Sequence, residues 1–164
     1  DLLIANAPDD VANYLRGLSL IPFRPGALAN LLVSNLDLKS GCLVIRLDKG
    51  KEERRILLPP KTLSFFAGQA KDKLPSAPLF SRADGSAWNK DAWKKPIKNA
   101  VRAANLPEST SAYTIRHSII TELVTGGLDL LSVAQLSGTS VAMIEKHYGH
   151  FRAENAAKAL EKLA

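Results

Sequence analysis

Residues 35–58, NLDLKSGCLVIRLDKGKEERRILL, are the one part of this 164-residue chain whose apolar residues fall in short β-rich runs instead of at helical spacing. Ser40-Gly41 and Asp48-Lys49-Gly50-Lys51 break the runs, which predicts a three-stranded antiparallel sheet with two turns. Pro59-Pro60 stops it. The flanking segments carry helical periodicity. The spacing of Val11, Ala12, Leu15 and Leu18 predicts a helix from Asp9 to Leu20 with Asp9 or Asp10 as N-cap. Pro25 opens a second helix, running to about Leu32 with Leu28, Leu31 and Leu32 inward. KTLSFFAGQAK gives a short helix that buries Leu63, Phe66 and Phe65, and LPSAPLFSRADGSAW reads as a loop. A helix from about Asn89 to Ala104 buries Trp93, Ile97, Val101 and Ala104, with Pro96 kinking it or marking its true start. Then follow helices over Tyr113 to Thr125, stopped by Gly126-Gly127, over Asp129 to Leu136, and from Thr139 or Ser140 to Tyr148. Arg152 to Leu163 is alanine-rich and helical, with an apolar stripe. The fold class expected is mainly α (α+β): a helical domain with a small three-stranded antiparallel sheet near its N-terminal third.

This length fits a single domain, 1–164, able to bury a core without metal or disulfide. The single cysteine, Cys42, has no partner in the chain, and no Cys/His cluster has ligand spacing, so a reducing, cytoplasmic setting without structural zinc is expected. There is no run of about eighteen apolar residues and no basic-then-apolar start, so no membrane association is expected. The chain starts at Asp1 with Leu2-Leu3-Ile4 as if entered midway through an element, and is expected to be a fragment lacking an N-terminal domain.

The net charge of +6 is unevenly placed. Residues 1–40 carry 3 basic and 4 acidic groups, residues 41–110 carry 14 and 7, and residues 111–164 carry 5 and 5. A basic middle segment suits a polyanion, because neutralising phosphates releases counterions and supplies affinity without reading sequence. A solvated lysine-rich face fits the same numbers. Lys49 and Lys51 at the second turn, near Arg54 and Arg55, form a basic hairpin, and Lys90, Lys94 and Lys98 line one helix, so Lys51, Arg54, Lys90, Lys94 and Lys98 are the candidate DNA-binding residues. Arg24 sits just before a helix start, a poor place for a cation unless an anion is shared there.

The order Arg24 in FRPGAL, Lys49 in DKGKEERRILLP, Arg116 in YTIRHS and Tyr148 in LSGTSVAMIEKHYGH resembles the catalytic domain of the tyrosine recombinases, the phage integrase family. The resemblance covers nearly the whole chain. It implies the C-terminal half of a clamp around double-stranded DNA, and site-specific cleavage and rejoining of strands through a 3′-phosphotyrosyl intermediate without metal or other cofactor. Arg24 and Arg116 would neutralise the non-bridging phosphate oxygens. Tyr148 would attack phosphorus. Lys49 would protonate the leaving 5′-oxygen. Tyr113 stands where the family usually has histidine, three residues before the second arginine, and Thr139 stands where histidine usually follows the glycine of the turn. Both donate hydrogen bonds to a phosphate, but neither is a base near neutral pH. His117 is the nearest other assisting group, at a position whose side chain in the family usually packs inside. Ala27 stands where the family often has glutamate. Residues 151–164 are the expected contact between copies assembled on DNA.

Two other classes fit parts of the chain. Asp129 to Tyr148 has the helix, glycine turn, helix length of a helix-turn-helix that binds DNA without chemistry. The apolar stripe at the chain end would also suit a helical interaction module.

Overall fold

A computed structural model describes residues 1–45, 53–151, 157, 160 and 161. The mainly helical fold with one small sheet is as expected. The elements, in order, are α1 (Leu2–Ala5), α2 (Asp9–Leu20), α3 (Pro25–Ala29), a 3₁₀ turn (Val33–Asn35), β1 (Leu36–Asp37), β2 (Cys42–Ile45), β3 (Arg54–Leu57), α4 (Pro60–Ala70), α5 (Lys90–Ala103), α6 (Ala112–Thr125), α7 (Leu130–Ser137) and α8 (Val141–Tyr148). Among the described residues no helix is long and apolar enough to cross a membrane.

The sheet is antiparallel in the order β1-β2-β3, with Leu36 opposite Leu43, Leu43 opposite Ile56 and Ile45 opposite Arg54. Side chains alternate across a strand, so Leu36, Leu43 and Ile56 go into the core together. The same alternation sorts the two adjacent arginines. Arg54 shares the inward face of β3 with Ile56, whereas Arg55 stays outside with Leu57 and pairs with Asp37 at 3.5 Å and Glu53 at 3.3 Å.

Several local expectations are corrected. The N-cap of α2 is Pro8, not an aspartate; Asp10 turns its carboxylate instead to the backbone N–H of Ala83, 2.9 Å away in the loop before α5. Helix α3 ends at Ala29, and Leu32, expected inward, is half-exposed and bridges to Pro78. That loop is not merely a connection, since Leu79, Phe80 and Trp88 are buried in the main core. Pro96 lies inside α5 without ending it, and Ala100 is buried where Ala104 was expected. Phe66 is buried, but Leu63 and Phe65 are only partly covered. Ser140, not Thr139, caps α8.

The core has two parts. The larger joins α1 to α5, the sheet and the loop before α5 around Tyr14, Phe23, Leu28, Leu43, Phe66 and Phe80. The smaller gathers Ile120 and Val124 of α6, Leu130, Val133 and Ala134 of α7, and Ile144 and Tyr148 of α8. Helix α6 packs along α2 and so carries the smaller core against the larger.

Candidate active site

Arg24 is the N-cap residue of α3, in an extended conformation, with Pro25 as the first helical residue. Its backbone oxygen accepts from the N–H groups of Ala27 and Leu28 at 2.9 and 3.1 Å, and its side chain is exposed. With five residues, α3 has too short a dipole to recruit an anion alone, and the neighbouring arginines Arg54 and Arg116 supply the positive field around Arg24. Tyr14 of α2 ties down the residue that follows Arg24. The Tyr14 ring is fully buried, lies beside Trp88 and Trp93 at centroid distances of 5.4 and 5.7 Å, and donates its O–H to the carbonyl of Pro25 at 2.8 Å. Burial, with a smaller contribution from Tyr113, pushes the Tyr14 phenol far above its ordinary range. Tyr14 was read only as part of a helix, and nothing in the sequence ties it to Arg24.

Arg116 on α6 is only 7% exposed. Its Nη1 donates to the carbonyl of Pro22 and to that of Ser137, the latter at 2.9 Å. One guanidinium therefore joins the segment before Arg24 to the C-terminal end of α7. Burial lowers its pKa, as does the charge of Arg24, while Tyr148 and Tyr113 act in the opposite direction and Arg54 adds a further lowering. Arg116 thus lies within the field of both other arginines and of the tyrosine.

Arg54 completes the group. Its Nη1 donates to the carbonyl of Gln135 at 3.1 Å, its guanidinium sits 5.1 Å from the Phe23 ring centroid, and Nε has no hydrogen-bond partner among the described residues. Burial, with the Arg24 charge, lowers its pKa. Gly138 makes room for it: the residue ends α7 at φ +67°, and a Cβ there would stand 2.3 Å from Nη1. Arg24, Ile45, Arg54, Ser137, Gly138 and Thr139 share the wall of an open pocket of about 750 Å³. A pocket holding two arginines beside the desolvated charge of a third is a place for a polyanionic oxygen cluster.

Tyr148 does not line that pocket. Its ring is 7% exposed and belongs to the smaller core with Ile144, while its hydroxyl forms a hydrogen bond with Nδ1 of His117 on α6. Burial raises the Tyr148 pKa and Arg116 partly offsets this. His117 is exposed, contrary to the inward packing implied by the resemblance. His147 touches the Tyr148 ring edge-on, and His150 is exposed and packs on Phe151.

Of the remaining candidates, Thr139 lines the arginine pocket and Tyr113, 51% exposed, lines the groove next to it. That groove, about 520 Å³, has Trp93 and Ile97 on its floor and Lys90, Lys94 and Lys98 on its rim, all three lysines exposed. The neighbours Gly26 and Ala27 face the groove and the pocket respectively, so the lysine rim runs over α3 towards Arg24 and Arg54. Lys49 and Lys51 lie outside the described residues, as does most of 151–164. Among the described residues no group of His, Cys, Asp and Glu side chains is arranged to hold a metal ion.

The model of the phage integrase family matches residues 18–155, most of the chain, including Arg24, Arg54, Arg116, His117 and Tyr148. The chain belongs to the phage integrase family. As a member it is 27% identical over 172 residues to the tyrosine recombinase XerC of Rhodospirillum centenum, covering 91% of this chain and 50% of that protein. It is 26% identical over 130 residues to the XerD of Pseudomonas putida, covering 75% and 43%. The chain thus spans about half the length of these curated relatives. Among solved structures, the fold is similar to the XerA recombinase (TM-score 0.71, 20% identity, 88% of this chain and 54% of that one) and to the catalytic domain of bacteriophage HP1 integrase (0.66, 19%, 95% and 88%). XerH bound to difH substrate is a further likeness, at 0.69 and 22% identity over 95% of this chain and 49% of that one. For this integrase-family chain these likenesses establish the fold, mainly helical around one small sheet, as shared with those recombinase structures.

Proposed function

We propose that this chain is the strand-cleaving domain of a site-specific DNA recombinase. The supporting observation is the convergence of Arg24 and Arg54 on one pocket, within the field of Arg116, with Tyr148 held where Arg116 acts on it. Such a pocket takes the scissile phosphate. Three guanidiniums offset the charge that gathers on the non-bridging oxygens as a fifth oxygen approaches, and because those of Arg54 and Arg116 are already desolvated and held by backbone carbonyls these two need little reorganisation. Tyr148 supplies that oxygen, and the bond energy kept in the 3′-phosphotyrosyl ester allows rejoining without a cofactor. Lys49 protonates the leaving 5′-oxygen. Thr139 and Tyr113 donate hydrogen bonds to the bound phosphate or its neighbours. Lys51, Lys90, Lys94 and Lys98 follow the backbone of the duplex on either side.

The partner is double-stranded DNA, gripped also by an N-terminal domain on the longer protein, and copies meet on it through 151–164 in the cytoplasm. The arginine pocket and the family favour this reading over a helix-turn-helix that binds without chemistry. The test is a pool of randomised nicked duplexes incubated with the protein and quenched in detergent. A covalent protein–DNA band is expected from the wild type and not from Tyr148→Phe. A band that survives Tyr148→Phe, or no band from any duplex, sinks the proposal. Sedimentation of the protein with a recovered duplex tests assembly: truncation before residue 151 should leave binding and abolish the higher-order complex.

A further inference from the structure

The two positions at which the family resemblance places a histidine hold Tyr113 and Thr139, which line the groove and the arginine pocket, and neither is hydrogen-bonded to Tyr148 among the described residues. The Tyr148 hydroxyl is instead hydrogen-bonded to Nδ1 of His117. From that bond, and building on the strand-cleavage reading above, we infer that His117 is the proton acceptor for Tyr148. Four features support the assignment. The imidazole and the phenol are on different helices, α6 and α8, so the contact is tertiary and not a by-product of helical neighbours. The rings lie 6.0 Å apart and tilted by 34°, side by side, so the bond runs between their edges. Arg116 is the residue before His117, so the base and the phosphate ligand are set by one stretch of α6. Tyr148 is buried whereas His117 is exposed, which gives the proton a way out to bulk water that the tyrosine itself lacks.

The step balances without a co-reactant. The Tyr148 O–H bond breaks and its proton passes to Nδ1 of neutral His117. The phenolic oxygen forms a bond to phosphorus, the bond from phosphorus to the 5′-oxygen breaks, and the departing oxygen takes its proton from Lys49. Rejoining runs the same transfers backwards, with His117 returning the proton to the tyrosine oxygen. A neutral imidazole is suited to this because its ordinary pKa lies near working pH. The charged and titratable groups that bear on the pair among the described residues are Arg116 on α6 and His147 on α8, with Arg24, Arg54 and Tyr113 acting through Arg116.

The experiment measures single-turnover adduct formation by the full chain on a nicked duplex recovered from the random pool, with sulfur in place of the bridging 5′-oxygen. A thiolate leaves without a proton, so the Lys49 step no longer limits and the rate reports on Tyr148. The wild-type rate is expected to rise with pH and then level off. His117→Ala and His117→Gln should each lose about 10²- to 10³-fold in rate with duplex affinity unchanged, and the rising limb should vanish. Glutamine keeps a hydrogen-bond acceptor for the phenol but takes no proton, so it separates holding the tyrosine from deprotonating it. Added imidazole should restore part of the His117→Ala rate and none of the Tyr148→Phe rate. Nitrogen-15 spectra of the unbound protein should show the His117 Nδ1 resonance moving in Tyr148→Phe. The inference is overturned if His117→Gln cleaves at the wild-type rate with the wild-type pH profile, if imidazole rescues nothing, or if the Nδ1 resonance does not move. In each of these cases the Tyr148-dependent adduct, and the proposed function with it, still stands. A wild type that forms no adduct on any duplex removes both.

Discussion

The guanidinium of Arg54 lies against the Cα of Gly138, 84 positions further along the chain, in a space that no side chain at 138 leaves open. Gly138 also has φ +67°, a conformation that costs an L-residue about 1–2 kcal/mol. Gly138→Ala is therefore expected to destabilise the fold by about that amount and to push Arg54 out of the pocket. Urea unfolding and duplex affinity, measured together, should both fall; an unchanged affinity would separate Arg54 from the phosphate.

The exposed and the buried arginine should differ in kind. Arg24→Ala removes no hydrogen bond from the core, so stability should stay within about 0.5 kcal/mol while adduct formation drops by about 10²-fold or more. Arg116→Ala frees the buried carbonyls of Pro22 and Ser137, each bonded to a charged donor, and should cost about 3 kcal/mol. Thermal melts alongside the detergent-quenched assay distinguish the two.

Tyr14→Phe tests whether the core positions the exposed arginine. The substitution leaves the carbonyl of Pro25 without its donor, a loss of about 1–3 kcal/mol. The adduct rate should fall too, because the turn that presents Arg24 loosens. A full rate from a less stable protein would show that Tyr14 serves stability only.

Alkaline pH should unfold the protein through the same tyrosines. Tyr14 and Tyr148 both have pKa values raised above the ordinary 10.0, mainly by burial, so the folded state keeps their protons where the unfolded chain has lost them. Their contribution is whole below pH 10 and declines as pH climbs above it. A spectrophotometric phenolate titration should show Tyr14 ionising only together with the loss of helical circular dichroism.

The lysine rim predicts a salt effect. Replacing Lys90, Lys94 and Lys98 together with alanine should flatten the plot of log affinity against log salt by about 0.9 for each lysine that contacts a phosphate, with little change in site preference. An unchanged slope would return these lysines to ordinary surface.

Periodicity and turn residues were enough to find the sheet and the helices from α5 onward, because each depends on residues close in sequence. Leu32 and Asp10 were misjudged because their surroundings come from Pro78 and Ala83, which no local pattern reveals. The buried loop residues Leu79, Phe80 and Trp88 are another case, since a stretch rich in Pro, Ser and Gly looks like surface whatever core lies beneath it. In the site, the residue types of Arg24, Arg116 and Tyr148 stood out through their order along the chain. Strand alternation could have separated Arg54 from Arg55, given Ile56 as the inward mark. The bond from His117 to Tyr148 could not be foreseen, as it depends on how α8 returns against α6 after the Gly138 turn.

The division of the core into two parts has a mechanical consequence. Tyr148 and Ile144 of α8 belong to the smaller cluster, whereas Tyr14, Phe23 and Leu28, which surround the base of Arg24, belong to the larger one. Segments with less buried apolar surface open at lower free energy than the rest of a protein. The proposed nucleophile is thus mounted on the half of the molecule expected to yield first, so that α8 would swing through an excursion and return while the arginine pocket keeps its shape.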